Sequence, residues 1–130
     1  MRQNEWKDYV LSVLRIAIAF TFVLHGCQKL FGLFGGMGGH GAVHMWSRLW
    51  VAAILETFGG SLVFVGLLTR PVAFLLCGEM AFAYFTTHFP RGFWPIQNGG
   101  ELAVLYCFIF LYLSAAGGGA FSLDRAIWKR

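Results

Sequence analysis

Residues 9–34 read YVLSVLRIAIAFTFVLHGCQKLFGLF, an apolar run interrupted by Arg15, His25 and Lys29. A helix needs about 20 predominantly apolar residues to cross the hydrocarbon core of a bilayer, and this run supplies them. A charge near the middle of such a helix costs roughly 2.5–3.5 kcal/mol on insertion scales, so charges there normally face a protein interior and serve a purpose. Arg15, Phe22 and Lys29 are seven residues apart, and His25 lies three from Phe22 and four from Lys29. At helical spacing all four share one face, the face expected to point inward.

Working outward, three more apolar segments follow at about 48–68, 71–89 and 101–121, broken by Pro71, by Pro90 and by the run Gly117-Gly118-Gly119. Composition agrees with membrane helices. The chain is 58% hydrophobic and only 12% charged, against about 25% charged in an ordinary soluble domain. The expected fold is all-α, a single domain over residues 1–130 forming an integral membrane four-helix bundle. Its orientation follows from basic residues. Arg2, Lys7, Arg70, Arg125, Lys129 and Arg130 would share one side, and Arg48 and Arg91 the other. Both termini are therefore expected in the cytoplasm, with loops 35–47 and 90–100 facing outward. Trp46, Trp50 and Trp94 suit an outer aromatic belt, and Trp6 and Trp128 an inner one.

Several function classes are excluded or weakened. The net charge of +4 comes from single, scattered basic residues, which offer no track for a nucleic-acid backbone. The glycine-rich segment Gly35–Gly41 lacks the lysine and serine of a phosphate-binding loop. His40 and His44 have a spacing that can ligate metal on a helix, but the amphipathic reading is the stronger, and no metal site is expected. Cys27, Cys77 and Cys107 fall in three different apolar segments with no CxxC pair, and read as structural thiols rather than a redox pair. No cleavable leader is expected, since acidic residues are mixed into residues 1–9 and no small-residue cleavage motif follows. The small residues Gly59, Gly60, Gly66, Ala73 and Gly78 suit close helix packing.

At about 1.5 Å of rise per residue, His25 and Glu56 fall at matching depth, roughly 12 Å below the outer boundary. Two polar layers result. In the inner layer, Arg15 and Glu79 form a structural ion pair. In the outer layer, His25, Gln28, Lys29, Glu56, His88, Gln97, Asn98 and Glu101 form a site open to the outer face. A histidine beside a carboxylate can relay protons in that site, so His25 and Glu56 are the candidate catalytic residues. Lys29, Gln28, His88, Asn98 and Glu101 are the candidate substrate ligands. Heme held between His25 and His88 is the weaker alternative, because His88 falls nearer the boundary. The bland reading pairs Arg15 with Glu79 and Lys29 with Glu56 and gives these charges only the task of fixing helix register.

The motifs also carry a family resemblance. His25-Gly26-Cys27-Gln28-Lys29-Leu30-Phe31-Gly32 resembles the HGxQKLFG signature of the DoxX family of small membrane proteins. Gly66-Leu67-Leu68-Thr69-Arg70, His88-Phe89-Pro90-Arg91-Gly92-Phe93, Asn98-Gly99-Gly100-Glu101 and Ser122-Leu123-Asp124 resemble further elements of the family in the same order. The resemblance implies four transmembrane helices in a bacterial inner membrane. It also implies redox associations: one branch resembles the membrane subunit of thiosulfate:quinone oxidoreductase, and another is linked to a complex with a superoxide dismutase and a sulfurtransferase. The leading expectation is a redox-associated membrane subunit whose outer polar site binds a quinone or small redox substrate, working with redox partner proteins. A non-catalytic scaffold docking partner enzymes is the alternative. A small-solute transporter is the third, and would require a homo-oligomer.

Overall fold

The computed structural model describes residues 3–32 and 47–128. The segment carrying His40 and His44 therefore lies outside the described residues. Among the described residues the chain is helical throughout, with no strand: α1 (Gln3–Phe31), α2 (Arg48–Ile54), α3 (Gly60–Val65), α4 (Thr69–Ala83), α5 (Pro95–Asn98), α6 (Glu101–Ala116) and α7 (Leu123–Trp128). Two π-turns interrupt the order, Leu55–Gly59 between α2 and α3 and Tyr84–His88 after α4. Two stretches are long and apolar enough to cross a bilayer, Glu5–Phe31 and Thr69–Arg91. Trp50–Val65 and Glu101–Ala116 are apolar but shorter. The first helix begins at Gln3, earlier than the apolar run that predicted it. The fourth ends at Ala116, before the glycines expected to fade it out.

The chain divides into two compact units, 1–68 with 118–130, and 69–117. In the first unit, α1 packs on α2, α3 and the π-turn between them. Its buried stripe is Ser12, Arg15, Ala19, Phe22 and Gly26, spaced three and four apart as one helical face demands. At Gly26, α1 comes close to the π-turn. A Cβ there would lie 2.5 Å from Thr57 Oγ1 and 2.7 Å from Thr57 N, so only glycine allows the approach. Gly60 makes a similar contact with Val23.

The second unit is an α4–α6 pair. Thr69, Ala73, Leu76 and Met80 form the buried stripe of α4, and Ala103, Tyr106, Phe110 and Leu113 that of α6. Tyr106 and Phe110 stack with ring centroids 6.0 Å apart. Gly78, read from the sequence as a packing glycine, meets open space instead, because it lies off this stripe. Both units leave large apolar side chains on the outside, among them Phe20, Phe58, Phe74, Phe82, Phe108 and Tyr112. An apolar exterior of that extent suits contact with lipid and is rare on a water-soluble monomer.

Candidate functional site

Arg15 is the most buried charge in the first unit, 1% exposed. Its guanidinium donates to the carbonyls of Gly118, Phe64 and Phe121. Ser12 joins it: the Ser12 hydroxyl donates to Gly118 O and accepts from Phe121 N. A side chain on Gly119 would run into Ser12, and its φ of +84° is itself a glycine conformation. The glycine run thus lets the chain come down onto α1. The Ser122-Leu123-Asp124 segment completes the knot. Ser122 Oγ accepts from Arg125 N at the start of α7, Asp124 N donates to Gly66 O, and Asp124 Oδ1 accepts from Leu68 N. Leu68 there has a φ of +54°, uncommon for a residue with a side chain. Arg125 pairs with Asp8 at 2.8 Å. Glu79, expected as the partner of Arg15, is half-buried on α4 in the second unit.

At the other end of α1 a second polar centre forms. Glu56 is 2% exposed and sits on the Leu55–Gly59 π-turn. Lys29 Nζ donates to both of its carboxylate oxygens, at 2.9 and 2.7 Å. A π-turn widens the helix by one residue and frees backbone groups, and such turns often mark functional sites. Here Ser61 Oγ donates to Thr57 O, and Thr57 Oγ1 is buried with no hydrogen-bond partner. His25 and Gln28 are half-buried on the turn of α1 that precedes Lys29.

In the second unit the polar centre is Asn98, also buried. Its amide nitrogen donates to Tyr84 Oη at 3.1 Å and Gly92 O at 3.0 Å, and its oxygen accepts from Gly100 N at 2.8 Å. Tyr84 in turn donates to Phe93 O, and His88 Nδ1 lies 3.3 Å from Asn98 O. The Asn98 side chain therefore ties the start of the second π-turn to the segment leading into α6, with both donations of its amide nitrogen engaged. Glu101 is exposed in the first turn of α6 and Gln97 is exposed on α5. A carboxylate in a first turn complements the helix dipole.

The same unit holds a cavity of about 400 Å³, bounded by Tyr84, Phe89, Phe93, Trp94, Ala103 and Cys107 among other residues. Its wall is almost wholly apolar. That volume falls in the range of small-molecule pockets, roughly 300–1,000 Å³. The aromatic rings are mutually packed: Phe93 meets Trp94 edge-on at 4.9 Å, and Phe89 meets Phe93 at 6.0 Å.

The structure thus brings Lys29 to Glu56 and His88 to Asn98, and places the eight residues of the expected outer site in two units: His25, Gln28, Lys29 and Glu56 in the first, His88, Gln97, Asn98 and Glu101 in the second. Three features escaped the sequence reading. Ser12 and Thr57 were passed over as small polar residues in apolar runs. The aromatic cavity had a signal in the cluster Phe85, Phe89, Phe93 and Trp94, but its hollow depends on α6. Among the described residues no group of three or more His, Cys, Asp or Glu side chains could hold a metal.

An all-helical chain with bilayer-length apolar helices, a lipid-suited exterior and buried charges inside is a membrane protein. The family model described as DoxX matches residues 10–89, and the chain belongs to the DoxX family. It is 45% identical to an uncharacterized protein of Haemophilus influenzae, over 98% of this chain and 97% of that one. It is 29% identical to a Bacillus subtilis protein named "Putative oxidoreductase CatD", over 90% of this chain and 86% of the relative. It is 27% identical to inner membrane protein YphA of Escherichia coli, over 92% and 91%. No solved structure matches the chain.

Proposed function

We propose that this protein is a redox-associated subunit of the bacterial inner membrane that binds a quinone. The observation that carries the reading is the aromatic cavity of the second unit, about 400 Å³ with a nearly apolar wall. A quinone ring is flat and apolar on its faces and reaches such a site from the lipid phase. Tyr84 lines that wall, while its hydroxyl is held by Phe93 O and the Asn98 amide. The oxidoreductase name of the Bacillus subtilis relative supports the same class of chemistry. In the first unit, His25 and Glu56 handle protons, with Lys29 stabilising negative charge and Gln28 beside them. In the second unit, His88, Asn98 and Glu101 are the polar residues this reading assigns to the substrate. The chain forms a four-helix bundle with both termini in the cytoplasm, and redox partner proteins supply or receive electrons.

Ubiquinone-1 added to the purified protein in detergent should quench tryptophan emission saturably, through Trp94 on the cavity wall. Ala81→Phe, which fills the cavity, should weaken that binding at least tenfold. Glu56→Gln should leave binding intact while lowering quinone turnover. A wild-type protein that neither binds the quinone nor alters its reduction removes this reading. The polar knot of Arg15, Ser12 and Asp124 favours a second reading, a scaffold for partner enzymes, because so many polar groups serve the architecture alone.

A further inference from the structure

The cysteines of α4 and α6 meet. Cys77 Sγ and Cys107 Sγ lie 3.7 Å apart, although thirty residues separate them in sequence. A disulfide requires the sulfurs to close to about 2.05 Å, with Cβ atoms about 3.5–4.5 Å apart. The two sulfurs are already in van der Waals contact, from which closure begins. Cys107 is also one of the residues that bound the aromatic cavity, and both thiols are half-buried rather than sealed. Cys27, the third thiol, belongs to the other unit.

The geometry points to Cys77 and Cys107 as a two-electron thiol–disulfide couple whose electron acceptor is a lipid-soluble quinone in that cavity. This rests on the quinone reading of the cavity and adds the electron donor to it. The step balances. Two S–H bonds break and one S–S bond forms. The two electrons and two protons pass to the carbonyl oxygens of the quinone, which leaves as the hydroquinone. No other oxidant is needed.

The experiment uses the full-length protein, reduced and then freed of reductant, in detergent without oxygen. Ubiquinone-1 serves as the probe because its ring carries no open position for thiol addition. The expected result is a loss of 2 Da in the intact mass (two hydrogens, from the balance above), with one quinol formed per protein. Dithiothreitol should reverse it. Cys27→Ser should behave as wild type, and Cys77→Ser and Cys107→Ser should show no mass change. Binding is followed separately in Cys77→Ser by tryptophan quenching. Quinone that binds without producing the mass loss overturns the couple and leaves the quinone site standing. Neither binding nor mass loss overturns both. A mass loss that persists in Cys77→Ser overturns the assignment of the pair.

Discussion

Lys29 and Glu56, one on α1 and the other on a π-turn, form a pair in which a single ammonium reaches both oxygens of a carboxylate. Lys29 is 15% exposed and Glu56 2%, so the carboxylate is the more dependent partner. Removing one member of a buried pair leaves an uncompensated charge and costs about 3–5 kcal/mol, whereas replacing both by neutral groups of similar volume is often close to neutral. Lys29→Met should therefore lower the thermal unfolding midpoint sharply in detergent. Lys29→Met with Glu56→Gln should recover most of the loss. If the double variant melts no higher than the single one, the pair is not what holds this corner together.

Gly26 and Gly78 give opposite expectations for the same substitution. At Gly26 an added methyl runs into the backbone of Thr57, and overpacking of this kind costs roughly 1–3 kcal/mol. At Gly78 nothing lies within 4 Å, and replacing a mid-helix glycine by alanine gains up to about 1 kcal/mol in helix propensity. Gly26→Ala should destabilise and Gly78→Ala should be neutral or stabilising, read as paired melting curves under one set of conditions.

Asn98 makes three hydrogen bonds with one amide. Asn98→Asp keeps the shape but loses both donations and sets a carboxylate against the carbonyl of Gly92. Leaving buried polar groups unsatisfied costs about 1–3 kcal/mol each. Tyr84→Phe removes a single hydroxyl and should cost less, about 0.5–1.5 kcal/mol. Protease susceptibility of the segment 89–100 reports the loosening locally, and equal cleavage of Asn98→Asp and wild type would contradict the tie.

Arg15 places its planar fork on carbonyls from both α3 and the C-terminal segment. Lysine carries the same charge but has a single nitrogen on a flexible stem, so it cannot reproduce the spread of contacts. Arg15→Lys should destabilise the first unit by about 1.5–3 kcal/mol, the worth of a hydrogen bond to a charged group. Amide exchange near Gly118 and Phe121 should quicken. Unchanged exchange there would show that the fork is dispensable.

Helical character, the DoxX membership and the membrane setting were legible in the chain because each depends on local pattern. Apolar length, sparse charge and ordered motifs do not need a partner to be read. The spacing of Arg15 and Phe22 likewise marked one face of α1, and both are buried. Other features needed the fold. The four segments looked equal as apolar runs, yet Trp50–Val65 and Glu101–Ala116 are shorter than the other two, because caps and glycine turns trim a helix where hydropathy continues. The hydrogen bonds of Asn98 also needed the fold, since a lone polar residue beside glycines gives no sign of which carbonyls will face it.

Local pattern was enough to read apolar helices with Arg15 and Glu56 on buried faces, since period and hydrophobicity are properties of a single segment. Charge and depth were enough to pair Lys29 with Glu56, but it took the packed fold to show that Arg15 is spent on carbonyls of Phe64, Gly118 and Phe121, and that Cys77 and Cys107 touch. Those meetings depend on how far each helix is rotated and shifted against its neighbour. The π-turns at Leu55–Gly59 and Tyr84–His88 reset that rotation midway along a helix, and no spacing rule applied to one strip of residues anticipates where the next strip will face.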